Sequence, residues 1–207
     1  MDPLDFKPLG QQAEDEILEY IRSRIDEADP GKLHQAVMSL GWIENAAELA
    51  GPLMVLVQDG RPAVALAALE GLAHIGAREA EKPLARFVLN LFKRNAAAYE
   101  QVRTEGIRVL GKVGSRRCVE FLAEIIRVPA PATDRDKEAA VEALVSLAER
   151  RVRGIGELLE ELRRGSSGVV EQALVCALKE LNVQQWEKQG FLTIEADFDP
   201  SGDSLFD

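Results

Sequence analysis

Cysteine, histidine and aromatic side chains are scarce in this chain of 207 residues. It has two cysteines, Cys118 and Cys176, and two histidines, His34 and His74. These are too few for a disulfide framework or a zinc cluster, so we expect two reduced thiols. Aromatic residues make up only 5% of the sequence. Alanine and leucine must therefore fill most of the core, which favours helices packed closely on other helices.

Long apolar runs and an excess of basic residues are also missing. No stretch approaches the roughly 20 apolar residues of a membrane-spanning helix, and the acidic N-terminus lacks the apolar run of a signal peptide. The formal net charge is −10, which argues against binding to the phosphates of nucleic acid or to an anionic membrane. The sequence therefore predicts a cytoplasmic protein with neither of these partners, and its charge weakly favours a basic protein partner.

Motifs that carry catalysis or bind a cofactor are absent from the sequence. It contains no glycine-rich phosphate loop and no Gly-x-Ser-x-Gly nucleophile elbow. The two histidines are far apart, and neither belongs to a metal-ligand pattern with glutamate. Carboxylates are abundant, but they fall on the polar faces of predicted helices, where solvent keeps their chemistry ordinary. We therefore predict a protein that is not an enzyme and holds no cofactor or metal.

An internal repeat organises most of the chain. Apolar residues lie three positions before and three positions after each of five leucines, which forms one stripe on an α-helix. A break and a second apolar helix follow each of the first four stripes, and in the first two units the second helix opens at Pro52-Leu53 and Lys82-Pro83-Leu84. The five anchor leucines are spaced 32, 38, 34 and 34 residues apart: Leu40, Leu72, Leu110, Leu144 and Leu178.

The repeat resembles a known family. The runs ALEGLAHIGAREAEKPLARFV and AVMSLGWIENAAELAGPLMVLV are similar to the short bacterial HEAT-like repeat first associated with phycobilisome lyases. In that repeat a helix ends in Leu-Gly-x-Ile-Gly and a second helix opens at Pro-x-Leu or Pro-Leu. GIRVLGKVGSRRCVEFLAEII matches with Phe121 in place of the proline, whereas AVEALVSLAERRVRGIGELLEEL lacks the glycine and the proline. The resemblance covers residues 32–181 and implies an all-α, right-handed solenoid of helical hairpins.

Three segments follow from the repeat. Residues 1–31 are predicted to form an N-terminal segment with a helix that caps the first repeat. Residues 32–190 hold four hairpins and a terminal half repeat. Residues 191–207 form an acidic C-terminal tail with five acidic residues and no basic one. The tail is interpreted as a solubilising segment, as a linear motif read by another protein, or as a segment that docks on a row of arginines, in this chain or in a second copy, with Phe198, Leu205 and Phe206 as apolar anchors.

Arginines recur six and seven residues after the anchor leucines. Equivalent positions in a repeat array lie in a row along one edge, so the sequence predicts a basic strip, which we call the arginine edge. Its fork-shaped guanidinium groups suit the carboxylates of an acidic segment, although exposed turns often carry arginine without such a role. Charge reversal at two members, Arg116 and Arg150, is expected to weaken partner binding and to leave unfolding unchanged. The arginine edge comprises Arg78, Arg116, Arg117, Arg150 and Arg151, with Arg153 nearby.

Two further surfaces are candidates for partner binding. Trp42 lies in a column of otherwise polar residues, so it is either an exposed hot spot or a residue covered by the N-terminal helix. The concave face of the array is formed by second helices, and its later members are acidic, which suits a basic peptide, although a merely solvated face has the same pattern. The residues of that face are Arg86, Asn90, Glu120, Glu124, Glu157, Glu160 and Glu161.

These observations predict a function in protein–protein binding. The chain would act as an adaptor, scaffold or regulator in a bacterial-type cytoplasm, with its partner on the concave face or on the arginine edge. The resemblance implies an alternative, a lyase or chaperone-like factor for a cofactor-bearing protein. A coloured cofactor on the purified protein would distinguish the alternative from the binding module.

Overall fold

The structure, a computed structural model, describes residues 49–94 and 97–188, with side chains described as far as Asn182. These residues are helical throughout, apart from short turns and loops, and contain no strand. The predicted all-α fold is confirmed for this part of the chain. The predicted capping helix in residues 1–31, Trp42, and the tail with Phe198 and Phe206 lie outside the described residues.

Eight α-helices follow one another along the described residues. Short 3₁₀ turns, Arg78–Ala80 and Ala97–Tyr99, precede the third and fourth helices. Helices α2, α4, α6 and α8 carry the last four anchor leucines and are called first helices; the other four are called second helices. Their bounds are α1 (Ala50–Val57), α2 (Pro62–Ile75), α3 (Glu81–Arg94), α4 (Glu100–Val113), α5 (Cys118–Arg127), α6 (Asp134–Glu149), α7 (Ile155–Arg164) and α8 (Gly168–Lys188).

Local sequence explains where several first helices begin and end. Pro62 is the first residue of α2, a position where the missing N–H costs nothing because it has no intrahelical partner. Gly76 ends the same helix with φ of 62°, in the left-handed region that glycine adopts most readily. Thr133 starts α6 with a capping box, in which its side chain and that of Asp136 bind each other's backbone N–H groups.

The helices pack in a regular order. Each first helix packs on the first helix of the next unit: α2 on α4, α4 on α6, and α6 on α8. Each second helix packs on the first helix that follows it in the chain: α1 on α2, α3 on α4, α5 on α6, and α7 on α8. The buried apolar residues form one cluster, and Leu72, Leu110 and Leu144 within it are fully buried.

Two first helices, α4 and α6, approach each other closely at Gly111. A Cβ atom at this position would lie 2.5 Å from the Cα of Ala143 on α6 and 2.9 Å from its Cβ. Gly111 directly follows the anchor leucine Leu110, in the Leu-Gly pair of the repeat. Glycine is therefore required here because the backbone of α6 occupies the space of a side chain.

A buried ion pair joins the third and fourth units. Arg103 on α4 donates from Nη2 to Oδ2 of Asp136 at 2.6 Å, and Thr104 Oγ1 donates to Oδ1 at 2.9 Å. Asp136 is fully buried, and the Arg103 guanidinium carbon lies 4.8 Å from the centre of the Phe92 ring. Sequence reasoning did not identify this pair, which we interpret as structural because both side chains are almost completely buried.

Candidate functional site

All six arginines of the predicted edge lie in turns that join a first helix to the second helix after it. Each of these residues is exposed. The first is on the 3₁₀ turn before α3, two lie between α4 and α5, and three lie between α6 and α7: Arg78, Arg116, Arg117, Arg150, Arg151 and Arg153. The structure thus places them in equivalent turns, as the sequence predicts.

Arg150 differs from the other five arginines of the edge in that its guanidinium group has partners. Its Nη1 atom donates to the carbonyl oxygens of Lys112 at 2.5 Å, Gly114 at 2.9 Å and Gly111 at 3.3 Å. These carbonyls lie at the C-terminal end of α4, where backbone oxygens lack intrahelical donors and a positive charge is favourable. Arg150 therefore joins two units, and reversal of its charge should lower stability, contrary to the expectation from sequence.

The remaining arginines are available for a partner. Within residues 49–94 and 97–188, the guanidinium groups of the other five members of the arginine edge form no hydrogen bond or ion pair: Arg78, Arg116, Arg117, Arg151 and Arg153. Since Arg150 links its own turn to the end of α4, the turns before α5 and α7 are neighbours in space. The structure therefore places the arginine-bearing turns of the third and fourth units next to each other.

The second helices present a separate charged surface around Arg127. This residue, the last of α5, donates to Glu120 at 2.8 Å and Glu124 at 3.1 Å on the same helix, and to Glu161 on α7 at 3.1 Å. The three carboxylate side chains are 73%, 55% and 67% exposed. Glu157 on α7 is also exposed. We call these five residues the acidic face.

Electrostatics keep Arg127 charged. Hydrogen bonds to Glu120, then to Glu124 and Glu161, raise the pKa of its guanidinium group above its ordinary value. One positive charge is thus shared by three carboxylates, and the acidic face keeps an excess of negative charge. Sequence reasoning identified the glutamates and overlooked Arg127, although its spacing of 34 residues from Glu161 equals one repeat and could have revealed the pair.

The second helix α3 has the opposite charge. Its exposed basic residues are Lys82, Arg86, Lys93 and Arg94. Asn90, named with Arg86 in the sequence, is exposed on the same helix. The candidate concave face therefore changes from basic in the second unit to acidic in the third and fourth units. Glu160 is half-buried and pairs with Arg163 at 2.6 Å, so it contributes less free charge than its neighbours.

The side chains nearest to a catalytic arrangement are Cys118, Glu81 and Ser115. Cys118 Sγ lies 3.3 Å from Glu81 Oε1, to which Ser115 Oγ donates at 2.9 Å. Burial, together with the nearby Glu81 carboxylate, raises the pKa of the Cys118 thiol to about 12. The thiolate that would act as a nucleophile is therefore not populated near neutral pH.

Among the described residues, no group of three or more histidine, cysteine, aspartate or glutamate side chains could hold a metal ion. None of the described helices is long and apolar enough to cross a membrane.

No family model matches this chain, and no curated protein matches it either.

Proposed function

We propose that this chain is a non-catalytic protein-binding module built as a right-handed HEAT-like solenoid. The serial packing of first helices supports a stacked array, because each unit contacts its neighbours. Polar contacts between units support it as well: Arg103 meets Asp136, 33 residues on, and Arg127 meets Glu161, 34 residues on. Such a stack holds surface residues of successive units at fixed positions for a partner.

The acidic face is the proposed binding surface, and the observation that carries this proposal is the sharing of Arg127 by three exposed carboxylates. Exposed ion pairs contribute little to stability, so the fold does not require this excess of glutamate. In the solenoid the second helices line the concave side, where a partner segment contacts several units at once. A basic segment would supply the missing positive charge, and complementary charge accelerates and orients association.

Affinity capture from the native extract, followed by mass spectrometry, tests the proposal. Glu120→Lys with Glu161→Lys should abolish capture of a basic partner and leave thermal unfolding nearly unchanged. Glu79→Lys with Glu180→Lys makes the same change in net charge at exposed residues elsewhere and should preserve capture. Equal capture by both double variants would refute the acidic face as the binding surface.

The arginine edge is a second candidate surface for the same function, because five of its guanidinium groups lack partners in the described part of the chain. It would bind an acidic segment. Arg116→Glu with Arg117→Glu should then abolish capture, whereas Lys82→Glu with Arg86→Glu, the same reversal on α3, should not. A coloured cofactor on the purified protein would instead favour the lyase or chaperone-like alternative and contradict the binding module.

A further inference from the structure

The second helices α3 and α5 carry charges of opposite sign at equivalent positions. Lys82 and Arg86 on α3 precede Glu120 and Glu124 on α5 by 38 residues, which is also the spacing of the anchor leucines of these two units. All four side chains are exposed. In each helix the two charged residues stand four apart, so they share one face of that helix. The same face is therefore basic in the second unit and acidic in the third.

These two faces belong to one surface. Cys118, the first residue of α5, lies with its Sγ 3.3 Å from Oε1 of Glu81, the first residue of α3. At the other end of α5, Arg127 donates to Glu161 on α7 at 3.1 Å. The three second helices thus stand side by side, with the basic residues of α3 next to the acidic face on α5 and α7.

Neither set of charges is balanced within the described part of the chain. Lys82, Arg86 and Lys93 form no hydrogen bond or ion pair among residues 49–94 and 97–188. Leu89, which is 43% exposed, lies between Arg86 and Lys93 on the same face of α3. We call these four residues the basic face. The acidic face, in contrast, has one arginine for its four glutamates.

We propose that the acidic face binds the basic face of a second copy of this chain. The pairing rests on the proposed function, because it takes the acidic face as the binding surface. A two-fold rotation sets the basic face of each copy on the acidic face of the other, so the same contact forms twice. The exposed Leu89 of each copy is then covered as well.

A second copy fits this surface better than an unrelated basic segment. Such a segment would neutralise the acidic face and leave the cations and the exposed leucine of α3 as they are, whereas a second copy satisfies both faces at once. The net charge of −10 makes two copies repel each other at a distance. At physiological salt, however, charges are screened beyond about 8 Å, so the groups in contact determine whether the copies bind.

Reversal of the charges on each face tests the proposal. Sedimentation of the purified full-length protein in low salt should show a dimer that dissociates on dilution and in about 1 M salt, where the screening length is about 3 Å. Lys82→Glu with Arg86→Glu should raise the Kd of the dimer by at least about tenfold, because it places like charges opposite one another. Glu120→Lys with Glu124→Lys should do the same. An equimolar mixture of the two variants should form a heterodimer with about the wild-type Kd, since both of its contacts join opposite charges again.

Matched controls make the same changes in net charge at exposed residues outside the two faces. Arg135→Glu with Lys179→Glu is the control for reversal of the basic face. Glu79→Lys with Glu180→Lys is the control for reversal of the acidic face. Neither control should alter the Kd of the dimer.

Four results would overturn the proposal. A wild-type protein that stays monomeric in low salt would show that no second copy binds; if Glu120→Lys with Glu161→Lys still abolished capture of a basic protein, the proposed function would stand without it. A dimer that persists in both reversal variants, or that the controls also abolish, would place the contact elsewhere. Assemblies larger than a dimer that grow with concentration would exclude the two-fold arrangement. A mixture of the reversal variants that stays monomeric would show that the two faces do not meet.

Discussion

Replacement of Asp136 by asparagine is expected to destabilise the protein strongly at neutral pH. Asp136 is fully buried and accepts hydrogen bonds from Arg103, Thr104 and Thr133. The amide is nearly the same size, but it leaves the Arg103 charge buried without a counter-charge. Loss of one partner of a buried ion pair costs roughly 3–5 kcal/mol, a large part of the roughly 5–15 kcal/mol that stabilises a typical domain.

Thermal and urea unfolding would measure this cost. A loss of this size should lower Tm by on the order of 10 °C, given about 2–4 °C per kcal/mol for a chain of this length. Asp134→Asn, the same substitution at an exposed residue in the first turn of the same helix, should cost less than about 1 kcal/mol. If Asp136→Asn also costs less than about 1 kcal/mol, the ion pair does not hold the third and fourth units together.

The pH dependence gives a second, independent check. Burial alone would raise the pKa of Asp136, but hydrogen bonds from Arg103, Thr133 and Thr104 outweigh it and hold the pKa below its ordinary value of 3.8. A carboxyl group with a lower pKa in the folded state stabilises fully above its unfolded pKa, and this stabilisation is lost as pH falls through the folded pKa. The difference in stability between wild type and Asp136→Asn should therefore be constant near neutral pH and shrink below about pH 4.

Double substitution separates the pair from its surroundings. Arg103→Met removes the second charge and keeps an apolar side chain near Phe92. Because the unpaired charge is then absent, the double variant should be destabilised by less than the sum of the single variants. Additive losses would indicate that Asp136 and Arg103 stabilise the fold independently of each other.

Three further outcomes are expected from packing and chemistry. Gly111→Ala should lower the free energy of unfolding in urea by about 1–3 kcal/mol, because the added Cβ would meet the backbone of α6. Gly156→Ala, whose added Cβ lies in open space, should instead stabilise the protein by about 0.5 kcal/mol. Equal effects of the two substitutions would contradict the close approach of α4 and α6. Arg150→Ala should lose about 1–2 kcal/mol through the uncapped end of α4, and an unchanged unfolding midpoint would contradict that contact. A thiol reagent at pH 8 should label the exposed Cys176 but not the buried Cys118, whose pKa is about 12. Rapid labelling of both cysteines before denaturation would contradict the burial of Cys118.

The helical content and much of the helix order could be predicted from the sequence. Apolar periodicity is local: residues three and four apart share a helix face whatever the rest of the chain does. Anchor leucines such as Leu110 and Leu144 therefore identified first helices, and the helix stop at Gly76 follows from backbone geometry alone. The location of arginines in equivalent turns followed from the same alignment, because repeats place equivalent residues alike.

The contacts between units were decided by the tertiary structure. Arg103 and Asp136 stand 33 residues apart, and whether they meet depends on how α4 packs on α6 and how far each side chain reaches. The same holds for Arg150, which looked like a free surface arginine in the sequence and instead binds the carbonyls that end α4. Periodicity assigns residues to helix faces, but it does not determine which side chains of neighbouring units touch, because that choice depends on the distance and angle between packed helices.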